Sequence, residues 1–330
     1  MKAIRIVVWL KPADRLHGRI KSRALRKYTR PAAHSVFSGG WVKLTATALA
    51  ALFSLSAGRP ALASVNDGGD YVPAPVGTQL AIYYQQFAAS KGLYSDGKDV
   101  TPSAELTSDV SLFRYLRYAS LFGYEIDYQI IQPVVIVHGG GATKSLGTAA
   151  GIGDTILLGT IWLHNNPKTK SYFGITPFVY IPDGQYDRHA SLSIGANRWQ
   201  GELQAGYTKG FGDHFVAEAI GDVNIYSNNK AFNVNQTMKQ ATSYTAQGFL
   251  RYLLNAKNEL NVRAVFTYGG DEHVDGLDQM DKTQTWSMLA TYVRALPGNI
   301  QLMLQGGRDI SVKSGFEEKE RFQLRVVKPF

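Results

Sequence analysis

Residues 259–269 read ELNVRAVFTYG, and the fold turns on how that string alternates. Leu260, Val262, Ala264, Phe266 and Tyr268 take every second place, with Asn261, Arg263, Val265 and Thr267 between them. A period of two marks a strand whose two faces meet different surroundings. The same beat returns in WQGELQAGYT (199–208), in YEIDYQII (124–131) and in RFQLRVV (321–327).

Twelve segments of this kind can be counted, at roughly 77–88, 106–119, 122–137, 153–164, 171–182, 197–209, 214–227, 241–254, 259–269, 282–294, 299–308 and 320–330. Tight turns near 120, 165–170, 210–213, 255–258 and 295–298 alternate with long polar or Gly-rich connections near 89–105, 138–152, 183–196, 228–240, 270–281 and 309–319. Short and long connections in strict alternation are the signature of an all-β, antiparallel transmembrane β-barrel of about twelve strands, with short periplasmic turns and long outer loops. Aromatic residues gather toward segment ends, among them Tyr118, Phe122, Trp162, Trp199, Tyr252 and Tyr268, as interfacial girdles require. The chain ends in Phe330 after alternating apolar residues, which is the kind of signal the barrel assembly machinery reads, although Lys328 and Pro329 depart from the usual pattern.

The chain has 330 residues, no cysteine and a formal charge of +9. That charge belongs to the leader. Residues 1–63 hold twelve of the 35 Lys/Arg and one of the 26 Asp/Glu, which leaves 23 bases against 25 acids in the remainder. A nucleic-acid partner therefore has no electrostatic support in the body of the chain. The leader itself reads as a signal peptide: a long basic stretch, an apolar core at 44–58 and a small-residue cleavage site at Ala61-Leu62-Ala63. The mature barrel is expected to span 64–330, exported to the outer membrane of a Gram-negative cell, among its lipid and lipopolysaccharide.

Three strings invite other readings. PVVIVHGGGA (133–142) resembles the oxyanion-hole loop of lipase-like hydrolases, but the chain lacks the G-x-S-x-G elbow that raises their serine. The Gly-rich 139–151 stretch is instead expected to be an outer loop, and the first candidate to fold into the lumen. His189-Ala190-Ser191 leaves room for an outer-membrane lipase, with Ser191 as its nucleophile. The loop GGDEHVDGLDQMD (269–281) fails the calcium-loop template, because His273 takes a ligand slot and Lys282 stands where the bidentate Glu belongs. It reads as a solvated acidic loop, so neither a metal nor a cofactor is expected.

If the apolar partner in each pair faces lipid, Glu125, Asp127, Glu202, Glu218 and Asp222 point inward from strands three, six and seven. Arg251, Arg263 and Arg325 do so from strands eight, nine and twelve. A charge on the lipid face near the midplane costs about 2–4 kcal/mol, which fixes the inward assignment. These eight residues line either a conduit with acidic and basic walls or a salt-bridge network that closes a narrow barrel. The sequence pattern does not choose between them.

DYVPAPVGTQLAIYYQ (70–85), YFGITPFVYIPDGQYD (172–187), GANRWQGELQAGY (195–207) and the tail GRDISVKSGFEEKERFQLRVVKPF (307–330) together resemble the family labelled "Putative MetA-pathway of phenol degradation". The likeness runs over nearly all of 70–330. It implies a barrel, and more loosely the uptake of phenol-like molecules. It implies no reaction and brings no site residues with it. The expectation is a passive outer-membrane channel for small hydrophobic or aromatic solutes; the alternative is a closed barrel whose outer loops bind a ligand or serve a structural role.

Overall fold

The computed structural model describes residues 66–330; the leader at 1–63 and its cleavage site lie outside the described residues. Twelve long antiparallel strands close on themselves: β1 (Gln79–Ser95), β2 (Ala104–Leu121), β3 (Tyr124–Gly141), β4 in two pieces (Ile156–Leu158 and Ile161–Asn166), β5 (Ser171–Tyr180), β6 (Gln200–Phe211), β7 (Phe215–Tyr226), β8 (Ser243–Asn255), β9 (Asn258–Gly269), β10 (Thr283–Leu296), β11 (Ile300–Val312) and β12 (Gly315–Pro329). Each strand pairs with the next, and β12 returns to β1 in a register that runs from Leu80↔Pro329 to Tyr94↔Gly315. Closure leaves no open edge, the condition for a sheet to cross a membrane. No helix among the described residues is long and apolar enough to cross one.

The turns at one end are tight. Between β2 and β3 only Phe122 and Gly123 intervene, both at positive φ (50° and 84°), as a two-residue hairpin demands. At the other end the strands outrun their sequence-based limits. β1 continues to Ser95, and β11 and β12 are joined by Lys313 and Ser314 alone, where a longer loop at 309–319 is predicted. The Gly-rich 139–151 stretch differs as well. Gly139–Gly141 belong to β3 and Thr148–Ile152 pair back onto it, so this segment extends the wall, although Leu146 does reach the interior. The segment that folds inward is 181–199, with Leu192, Ile194 and Ala196 buried. Above the barrel, Asn229–Phe232, Gln236–Gln240, Glu272–Val274 and Leu277–Asp278 form a small second sheet around Phe232, Met238 and Val274. Glu272, predicted to be solvated in the acidic loop, is fully buried there.

One strand is defective. β4 breaks between Leu158 and Ile161, and it is flanked by Pro133 on β3 and Pro177 on β5. The Pro133 carbonyl accepts from Gly153 N at 2.9 Å, and that of Pro177 from Gly159 N at 3.4 Å. In an antiparallel pair the N–H and C=O of one residue point the same way, so Pro177 withholds a donor from the break in β4 and Pro133 withholds one from Gly153, just ahead of that strand. Asp127 fills part of the deficit by accepting from Thr160 N at 2.8 Å.

Candidate functional site

The lumen has two unlike halves. On β6 to β10 the inward positions are largely polar: Gln200, Glu202, Gln204, Glu218, Asp222, Asn224, Thr245, Gln247, Asn261 and Arg263 are all buried. On β1 to β5 the upper interior is apolar, with Leu106, Val110, Leu112, Ile131, Val135, Val137, Ile156 and Phe178 in one buried cluster. Along β2 the rule used on the sequence is inverted, because Thr107, Asp109 and Ser111 face out while Leu106, Val110 and Leu112 face in. Inverted alternation builds an apolar interior, and these side chains pack into one buried cluster.

A segment ahead of β1 enters this space. Thr78 O and Gly77 N pair with Tyr118 at the tight-turn end, and from there residues 72 back to 66 run up inside the barrel. Asp67 and Tyr71 are buried, and Asp70 is half-buried with its side chain turned inward. This plug is held mainly by charge. Asp70 Oδ2 lies 3.2 Å from Arg114 Nη1 and its Oδ1 lies 3.0 Å from Arg325 Nη2. Asp67 lies 3.4 Å from the other Arg325 nitrogen. Gly69 N donates to Glu218 at 2.9 Å, and Asn66 Nδ2 to Gln204 Oε1 at 2.6 Å.

The structure places all eight residues singled out in the sequence on the inner side of the wall. Glu125 sits half-buried near the tight-turn rim, where Asn165 Nδ2 donates to it at 2.6 Å. Asp127 holds the β4 break. Glu202 accepts from Tyr180 Oη at 2.8 Å, and Asp222 from Asn224 Nδ2 at 2.9 Å. Arg251 bridges Glu218 at 2.6 Å and Glu259 at 2.7 Å. Arg263 donates to Gln247 at 2.6 Å and lies over the Phe249 ring. Arg325 goes to the plug. Glu218, Arg251 and Arg325 are therefore drawn together around the entering segment, whereas Glu125, Asp127 and Glu202 serve separate local roles. Sequence reasoning missed the plug with Asp67, Asp70 and Tyr71, its partner Arg114, and Glu259, which shares Arg251 with Glu218. An acidic pair spaced D-G-G-D directly after a basic leader was the available signal.

No group of His, Cys, Asp and Glu able to hold a metal occurs among the described residues. The arrangement sets a buried apolar cluster on one side, a polar wall on the other and an ion-paired plug toward the tight-turn end.

The model of the family described as "Putative MetA-pathway of phenol degradation" matches residues 89–326. Among solved structures, an outer membrane channel from Pseudomonas putida F1 is 31% identical, with 80% of this chain and 100% of that one covered and a TM-score of 0.78. The CymD monoaromatic hydrocarbon channel is 10% identical, with 78% of this chain and 89% of that one covered and a TM-score of 0.43. A FadL homologue of Pseudomonas aeruginosa is 8% identical, with 76% and 89% covered and a TM-score of 0.40. No curated protein matches the sequence.

Proposed function

This chain belongs to that phenol-degradation family, and from this premise we propose that it is an outer-membrane channel through which small aromatic, phenol-like compounds enter passively. The observation that carries the reading is the apolar inner wall of β1–β5. A general porin keeps its interior polar and water-filled. Here Leu106, Val110, Leu112 and Val135 instead pack into a buried apolar interior, and an aromatic ring that enters it gains about 25 cal/mol per Å² of apolar area taken out of water. Such solutes cross a lipopolysaccharide leaflet slowly, so a protein route has a physical purpose.

Solute descends from the long-loop side along this wall until it meets the plug. Glu218, Arg251 and Arg325, with Asp67 and Asp70, form a gate of paired charges around it, while Glu125, Asp127, Glu202, Asp222 and Arg263 line the remaining path. The mature barrel starts within a few residues of Asn66, after a signal peptide at 1–63 is removed. No chemical step is assigned to the channel, and its partners are lipid, lipopolysaccharide and the assembly machinery.

The test is uptake of labelled phenol and of a polar sugar into lipopolysaccharide-containing liposomes that hold the protein purified from outer membranes. The expected result is faster phenol entry with little sugar entry. Equal acceleration of both would make it a general porin, and acceleration of neither would make it a closed barrel.

A further inference from the structure

One side chain of the plug is held by neither charge nor main chain. The Tyr71 ring rests on a notch made by Gly174 on β5 and Gly206 on β6, which face each other in register. A methyl group at Gly206 would stand 2.3–2.5 Å from three ring carbons, and one at Gly174 would stand 3.2 Å from two others. Only glycine at both places lets a flat ring lie against the wall. Ile220 and Phe249 pack with the ring in one buried cluster.

At its far end the phenol group is read by hydrogen bonds. Tyr71 Oη donates to Gln204 Oε1 at 3.0 Å, and Thr176 Oγ1 lies 3.1 Å from Tyr71 Oη. Thr160 Oγ1 sits 3.0 Å from Thr176 Oγ1 and so orients it. Tyr71 is 3% exposed. The berth therefore combines a slot for a planar ring, an apolar cover and two polar groups placed for a phenolic hydroxyl.

We propose that this berth is the channel's binding site for phenolic solutes, that Tyr71 occupies it as an internal stand-in, and that an entering phenol displaces Tyr71 and unseats the plug. The proposal rests on the aromatic-channel reading and adds to it the site, the ligand class and the trigger. A solute that binds only where Tyr71 has left shifts the equilibrium toward the unseated plug by that differential affinity. Toluene keeps the ring but leaves Gln204 and Thr176 unpaired, and a cyclohexanol keeps the hydroxyl but is too thick for the glycine notch.

The chain has no cysteine, so Asn66→Cys supplies a single thiol at the buried head of the plug. Its labelling rate by a charged maleimide, in the reconstituted full-length protein, reports how often the plug leaves. p-Cresol is expected to raise that rate about tenfold, as a ligand favouring the unseated state by that ratio requires. Toluene and 4-methylcyclohexanol should change it little, and adding Thr176→Val should blunt the p-cresol effect. Equal acceleration by p-cresol and toluene, or by none of the three, overturns the proposal. Should Asn66→Cys label rapidly without ligand, the thermal midpoint of Tyr71→Ala decides. A larger rise with p-cresol than with toluene supports the berth, and equal rises or none overturn it. Phenol flux into the same liposomes separates the two readings: flux without ligand-dependent labelling overturns the berth alone, while labelling without flux upholds the berth and overturns the channel.

Discussion

Arg325 and Asp70 are 255 positions apart in the chain, and their side chains meet at 3.0 Å inside the barrel. The last strand is thereby tied to the segment that precedes the first. Arg325→Met leaves Asp67 and Asp70 buried without their shared partner, which costs about 3–5 kcal/mol. Denaturant unfolding in detergent should show this loss, and the triple variant that adds Asp67→Asn and Asp70→Asn should recover most of it.

The plug itself should set the leak. Asp70→Ala with Tyr71→Ala removes both its ionic and its ring anchor, so small-ion conductance across planar bilayers is expected to rise several-fold. Unchanged conductance would mean that the constriction lies elsewhere, in the inward 181–199 segment.

Leu112→Asn places an amide on the apolar inner wall. Loss of about 1.4 kcal/mol in solute partitioning corresponds to a tenfold effect, so phenol uptake should fall by roughly that factor. Phe113→Leu, one residue on but facing out, should leave uptake unchanged.

Met288 faces out from β10, opposite Ala264 of β9, between the aromatic rows marked by Tyr292 and Trp286. Met288→Arg puts a charge near the midplane and should destabilise the folded barrel by about 2–4 kcal/mol, read as the folded fraction in lipid at rising urea. The lumen-facing Thr291→Arg is not subject to that penalty.

The strand count and the tight turns were legible because period two is a local property. Leu260 and Arg263 declare their faces within four residues of each other. The inverted stretch of β2 was not legible. Asp109 faces out and accepts a hydrogen bond from Gln85 there, the apolar partners Leu106, Val110 and Leu112 turn inward, and nothing in the local pattern marks where the alternation changes sense. The plug was hidden for a different reason. Asp67, Asp70 and Tyr71 gain their meaning only from Arg325, Arg114 and Gln204, up to 258 positions away. Single-sequence reading sees such a segment as a linker.

A closed wall under the lateral pressure of a membrane behaves like a hoop, and a hoop is as strong as its weakest stave. Here that stave is β4, where Pro177 withholds a rung, Gly159 spans 3.4 Å to reach its neighbour, and Pro133 withholds another rung just ahead of the strand at Gly153. Strain from a swollen lumen, a thinned bilayer or heat therefore concentrates on a single line down one side of the molecule. The eleven other strands stay laced, and the barrel yields by opening along that seam.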